Sequence, residues 1–283
     1  MFSFLHHPGP DLGVGVAFTD RDGGVSRAGF GPLNLGRTDV DEIPAVRENF
    51  RRVGAQLAVD RFITLAQVHG PEVVVAGPEF VSAWGPDQHL GSEATGVPLQ
   101  RADALVTDQR GIVLCIRVAD CLPVLFADVE AGVIGAAHAG RVGLAAGVLP
   151  NTVAAMRDLG AQEIRAWQGP HICGACYEVP AQMREEVVFA GEREEVAAEL
   201  PGAYAETSWG TPALDLGEAA ARQLADLGCH VERHSPCTRT TQHLHSHRRD
   251  GAAAGRLGAL VWLPSFSDDD VPAGTSPVGV RRH

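Results

Sequence analysis

Cys121 and His138 are a thiol and an imidazole set at the two ends of one apolar stretch, "VADCLPVLFADVEAGVIGAAHAGRVG", residues 118–143. The stretch reads as a β-hairpin. "LPVLFAD" and "GVIGAA" are its strands and Glu130-Ala131-Gly132 its turn, with glycine suited to a left-handed backbone position. That register sets residue 121 opposite roughly 140–142, so His138 falls within a few positions of Cys121 at the open end of the hairpin. The two side chains can then share one atom. They read either as metal ligands or as a Cys121 nucleophile with His138 as its base. A third candidate, His69, ends the strand "RFITLAQVHG" and precedes a Gly70-Pro71 turn, and strand ends are where sites collect. Together the three make a Cys-His-His set of soft and borderline ligands suited to Zn²⁺. Three protein ligands leave a fourth position for water or substrate. Gln67, two residues from His69, shares its strand face and is expected to line the same pocket.

The elements that must position these residues are legible as follows. "DEIPAVRENFRRVGAQLAV" has helical spacing at Val46, Phe50, Val53 and Leu57. "EVVVAG", "DALVTD", "GIVLCIRVA", "EIRAWQGP" and "RLGALVWLP" read as further strands, residues 78–100 as loop, and residues 180–200 as helix. "VGLAAGVLPNTVAAMRDLG" is helical with Pro150 inside it, so a kink or restart is expected there. "DLGEAAARQLADLG" is a helix capped by Asp215, with Glu218 three residues on and Gly228 at its end. Strands in consecutive pairs with few intervening helices indicate an α+β fold. The pattern is that of a single domain over residues 1–264 and a disordered tail over 265–283, which has too few apolar residues to pack.

Of the 283 residues 45% are apolar, enough for a substantial core. The net charge is −12, from 23 basic and 35 acidic residues. An acidic chain without basic runs argues against nucleic acid or an anionic membrane as partner. The N-terminus lacks the pattern of a signal peptide, and no stretch approaches the ~18–20 apolar residues of a membrane span, so a soluble, cytoplasmic protein is expected. In that compartment the six cysteines read as buried, metal-bound or catalytic rather than disulfide-bonded. Cys173 and Cys176 form a C-x-x-C pair, but no second such pair completes a four-cysteine zinc site, and they read as two partly buried thiols. His243, His245 and His247 alternate, which on a strand would turn all three to one face. One such tract falls short of the several that a multicopper oxidase needs. Arg248, Arg249 and Arg256 follow it, and guanidinium forks match phosphate oxygens.

The segments "QVHG", "ADALVTD", "ADCLPVLFAD", "AAHAGRVGL", "GPHICGACYEV" and "CT…HSHRRDG…GR" closely resemble the laccase-domain family, in the family's order and from about Gly13 to Leu263. That family was first called multicopper polyphenol oxidase-like. It is also described as zinc-dependent purine nucleoside phosphorylases with adenosine deaminase activity. The resemblance implies a mixed β-sandwich with helices outside it, and His69, Cys121 and His138 as zinc ligands and catalytic centre. It implies a purine nucleoside and phosphate as substrates, with Asn34, Gln67 and Arg249 as their contacts. The chain departs from the family at Arg141-Val142, where a Trp-Arg pair is frequent. It departs also at His245 and His247, where tyrosines are frequent, and at Phe50, where arginine is common. Three further readings stand beside this one: a copper-dependent polyphenol oxidase, a Cys121–His138 hydrolase, and a non-enzymatic protein that uses zinc to hold a partner.

Overall fold

The opening hairpin is the spine of the molecule. In a computed structural model that describes residues 1–9, 12–27, 30–36, 41–188 and 200–265, its strands run Leu122–Asp128 and Val133–Ala139, with Leu122 opposite Ala139 and Pro123 opposite His138. Gly132 takes the left-handed turn position (φ 67°).

In chain order the strands are β1 (Phe2–His6), β2 (Gly15–Thr19), β3 (Phe62–Ile63), β4 (Val73–Val75), β5 (Ala104–Thr107), β6 (Val113–Val118), the hairpin strands β7 and β8, β9 (Arg165–Gln168), β10 (Tyr204–Glu206), β11 (Pro212–Leu214), β12 (His230–Arg233) and β13 (Leu257–Trp262). The helices are α1 (Ile43–Leu57), α2 (Pro78–Ala83), α3 (Ser92–Thr95), α4 (Arg141–Ala145), α5 (Val148–Asp158), α6 (Ala181–Val188), α7 (Leu216–Asp226) and α8 (His247–Asp250). A five-stranded sheet, β1-β2-β13-β6-β3, and a six-stranded sheet, β12-β9-β7-β8-β5-β4, both mix parallel and antiparallel pairs.

Every residue of β7 and β8 is buried, which explains their unbroken apolar runs: both faces of this sheet are covered. Leu125, Ala127, Ile134 and Ala136 pack against Val16, Ile116 and Val261 of the five-stranded sheet. Val124, Phe126 and Ala137 turn the other way, onto Leu149, Val153 and Met156 of α5 and Leu224 of α7. On the far side, Val46, Phe50, Val53 and Leu57 of α1 cover Val113, Cys115, Leu260 and Trp262. The result is helix, sheet, sheet, helix: an α+β sandwich, with Phe50 a core residue. Among the described residues, no helix is long and apolar enough to cross a membrane.

The helical stretch 142–160 breaks at Gly147 (φ 92°), not at Pro150. Pro150 is the third residue of α5, where its missing N–H has no intrahelical partner to lose. Of the strand expected over 61–70 only Phe62–Ile63 forms, with an isolated bridge from Ala66 to Arg101. Residues 78–100 hold α2 and α3 rather than plain loop. The helix expected over 180–200 is described only as α6, and the tail beyond residue 265 lies outside the described residues.

His89 contributes to the core of the α1 layer. It is buried, meets Phe50 edge-on at 4.5 Å between ring centroids, and its Nε2 lacks a hydrogen-bond partner. Burial, the dominant effect, holds its pKa down to about 4 from 6.5. Between these values the unfolded chain binds a proton that the folded chain refuses, so stability falls as pH drops through the window. The loss should reach about 3 kcal/mol by the low end. His89→Phe, which keeps the aromatic packing, is expected to flatten that dependence in urea melts. An unchanged slope would show that His89 is not the cause.

Candidate functional site

His69, Cys121 and His138 converge: one ligand atom from each lies within 4.8 Å of the others. Cys121 directly precedes β7 and His138 is the penultimate residue of β8, so the hairpin register fixes that pair. His69 arrives from the loop between β3 and β4, in a left-handed conformation (φ 63°) that turns its ring into the site, with Nε2 3.9 Å from Cys121 Sγ. The His69 and His138 rings lie edge to face, 4.8 Å apart.

One buried carboxylate holds both histidines. Asp103 Oδ1 is 2.7 Å from His138 Nδ1, while Oδ2 accepts the Val68 and Gly70 N–H groups at 3.0 and 2.8 Å, clasping the turn that carries His69. Burial alone would raise the Asp103 pKa. The His138 ring and the two backbone donors outweigh it, and the group stays ionised. With Nδ1 engaged, His138 presents Nε2 to the thiol. Burial likewise opposes charge on Cys121 and His138, but hydrogen bonds prevail: His138 and then His69 favour the thiolate, and Asp103 and then Cys121 favour the imidazolium. The thiol is drawn down to about 6 and the imidazole up to about 9.

The donor set fits a metal ion. Two imidazole nitrogens and a thiol that ionises readily are borderline and soft ligands, and the Asp103–His138 bond is the outer support metal-bound histidines usually have. Gly140 borders the group. A Cβ there would lie 2.8 Å from the His69 ring and 3.2 Å from Cys121 Sγ, so glycine keeps the space between the ligands open.

The group forms the floor of a cleft of about 660 Å³, the size of a small-molecule site. Arg117, Arg141, Arg248 and Arg256 line it, as do Tyr177 and Asp120. The Arg248 guanidinium lies 5.1 Å from the Tyr177 ring centre. Asp120, at φ 90°, sits beside Cys121. Its carboxylate accepts Thr238 Oγ1 and the Arg248 N–H, each at 2.6 Å, which ties the Asp120 turn, the Thr238 segment and α8 together at the cleft.

Gln67 lines the cleft and clamps the Arg117 backbone from both sides, accepting its N–H and donating to its carbonyl at 2.9 Å each. Asn34 is fully buried outside the cleft wall. Its Oδ1 accepts the N–H groups of Gly36 and Arg256, both of which do line the cleft. Arg249 does not line it. Its guanidinium is committed to the carbonyls of Thr238, Arg239, Thr241 and Leu244 and to Asp250, whereas its neighbour Arg248 lines the cleft. The histidine tract is not a strand. His243 Nδ1 meets Asp22, buried His245 bonds the Leu33 carbonyl, and His247 alone of the three reaches the cleft. Sequence reasoning did not single out Asp103, Tyr177, Arg117 or Arg141 for roles here. The one signal for Asp103 was an acid opening the apolar strand "DALVTD".

The chain belongs to the multi-copper polyphenol oxidoreductase laccase family, whose model matches residues 15–264. Among relatives it is similar to a purine nucleoside phosphorylase of Streptomyces coelicolor, at 46% identity over 89% of this chain and 96% of the relative. One of Corynebacterium glutamicum is 38% identical over 89% and 95%. The crystal structure of YlmD from Geobacillus stearothermophilus superposes with a TM-score of 0.75 at 32% identity, covering 91% of this chain and 94% of YlmD.

Proposed function

We propose that the chain is a zinc-dependent purine nucleoside phosphorylase, converting adenosine and phosphate to adenine and ribose 1-phosphate and deaminating adenosine more slowly. The observation that carries this reading is the His69–Cys121–His138 group on the floor of an arginine-lined cleft. The names of relatives at 38–46% identity support the substrate class. A cytoplasmic site of action accords with six free cysteines.

His69, Cys121 and His138 would hold the zinc, which would supply Lewis acidity toward a bound substrate. Arg141 and Arg248 orient phosphate for attack on C1′ of the ribose, and Arg117 and Arg256 add positive potential from the same wall. As the C1′–N9 bond breaks, the purine takes up a proton. Tyr177, whose pKa burial raises, keeps its hydroxyl protonated and available as a donor. Deamination needs no phosphate, so the two reactions separate by residue. Arg248→Ala is expected to raise the phosphate KM roughly tenfold or more and leave deamination nearly unchanged. Arg249→Ala should instead cost about 3 kcal/mol of stability, because it strips partners from a set of loop carbonyls. Chromatography of products with and without phosphate, alongside thermal melts, checks both.

A Cys121 hydrolase has one observation in its favour, the Cys121–His138–Asp103 relay. His69, a second imidazole 3.9 Å from the same thiol, has no part in that relay, and its presence supports the metal reading. Activity that survives chelation but not alkylation would favour the hydrolase. Zinc bound with every position closed to substrate would favour the non-enzymatic reading. A copper oxidase is less well supported, because the histidine tract disperses to three different surroundings. Phenol oxidation by copper-loaded protein at rates above nucleoside turnover would revive it.

A further inference from the structure

A second group of thiols lies behind the cleft. Cys173 and Cys176 are on the loop after β9, and Cys237 is on the segment after β12. β9 and β12 are parallel neighbours, so the chain leaves both in the same direction at the same end of the sheet. The pairing persists beyond the strands: His234 N–H donates to the Gln168 carbonyl at 2.9 Å, and Thr238 N–H to the His171 carbonyl at 3.0 Å. This carries Cys237 onto the Cys173–Cys176 turn, in which Cys176 N–H bonds the Cys173 carbonyl at 2.9 Å.

The three sulfurs lie within 4.8 Å of one another and none is in a disulfide. Cys176 is buried, but packing in an apolar cluster accounts for none of the three. Cys115 and Cys229 sit inside apolar clusters, whereas Cys173, Cys176 and Cys237 belong to none. Cys173 and Cys237 are only partly buried. The Cys173 N–H donates to Cys237 Sγ at 3.5 Å, the kind of outer-shell bond that steadies a sulfur ligand. Metal–sulfur bonds of ~2.3 Å to a common ion put sulfurs roughly 4 Å apart, within reach of this cluster by side-chain rotation.

We propose that Cys173, Cys176 and Cys237 form a second metal site, which holds a thiophilic d¹⁰ cation, Cu⁺ or Zn²⁺, through three thiolates. Three sulfurs without a nitrogen or oxygen ligand define a soft site. Binding displaces the thiol protons to solvent and forms three metal–sulfur bonds, with no change of oxidation state. The ion would link the loop that brings Ile172 and Tyr177 to the cleft with the segment whose Thr238 anchors Asp120, bracing the cleft wall. The inference does not depend on the function proposed above.

The test titrates reduced, metal-free full-length chain with Zn²⁺ alone and, separately, with Cu⁺ buffered by a chelator of known affinity. Wild type is compared with Cys237→Ser and with the triple variant Cys173→Ser, Cys176→Ser, Cys237→Ser. In at least one arm wild type should take up one equivalent more than either variant, and the arm that does so identifies the ion. Loading should also protect these three cysteines of wild type from alkylation, read by mass spectrometry, a measurement that needs no folded variant. Equal stoichiometry in all three proteins for both ions, or full alkylation after loading, overturns the proposal.

Discussion

Cys121→Ala is expected to lose the ion of the His69–Cys121–His138 group and to lower both phosphorolysis and deamination at least a thousandfold, about 4 kcal/mol. The thiol is the one sulfur of that group and lies at its centre, 3.9 Å from His69 and hydrogen-bonded to His138. Removing it leaves two imidazoles, too few to hold zinc at cellular concentrations. Cys121→Asp is the more telling change. A carboxylate also binds zinc, so part of the metal and part of the turnover should survive. A cysteine nucleophile replaced in this way would leave no turnover that depends on zinc. Metal content by mass spectrometry and product formation by chromatography, on the same samples, read both outcomes.

Asp103→Asn should be nearly as damaging although Asp103 is a positioning residue with no place in the cleft wall. The carboxylate accepts from three donors on two segments, so it fixes the His69 turn and the His138 ring at once. An asparagine side chain turns either its oxygen or its NH₂ toward His138. With the NH₂ there, Nδ1 becomes an acceptor and the ring proton moves to Nε2, the atom that faces the thiol. With the oxygen there, the turn loses its acceptor. Metal affinity should fall roughly 10–100-fold. Stability should fall by about 3 kcal/mol, since in either orientation a buried donor of the His69 turn or of the His138 ring loses its charged acceptor. A purely structural role would shift the melting temperature and leave metal affinity and the pH profile of the surviving activity as they are. The positioning role moves all three.

How far the sequence reveals the site depends on which interactions place each residue. Cys121 and His138 are joined by a two-strand hairpin whose turn glycine fixes the register, so their proximity is readable from local pattern. His69 is readable as a strand end, yet the strand is only two residues long. What places His69 is a left-handed turn clasped by Asp103, 34 positions downstream by numbering, and no local pattern encodes that clasp. Arg248 and Arg249 are adjacent and chemically alike. The single turn of α8 sends one to the cleft and the other to the carbonyls of residues 238–244, a difference that composition cannot express. The alternation of His243, His245 and His247 suggested one shared face. The segment is a turn leading into α8, so the period of two has no meaning there. Cys237 meets the C-x-x-C pair only because β12 lies parallel to β9, a choice of sheet neighbour that the sequence leaves open. The layers themselves were more legible: the four apolar positions of α1, the Asp215 cap of α7 and the buried runs of β7 and β8 all reflect local pattern that the packing then uses.

The most direct test of zinc-dependent phosphorolysis is one assay on metal-free and zinc-reloaded protein, with adenosine, inosine and guanosine, with and without phosphate. Adenine and ribose 1-phosphate should form from adenosine in equal amounts, only when zinc and phosphate are both present, with slower inosine formation that needs zinc alone. Zinc-loaded protein that leaves all three nucleosides unchanged would contradict the account.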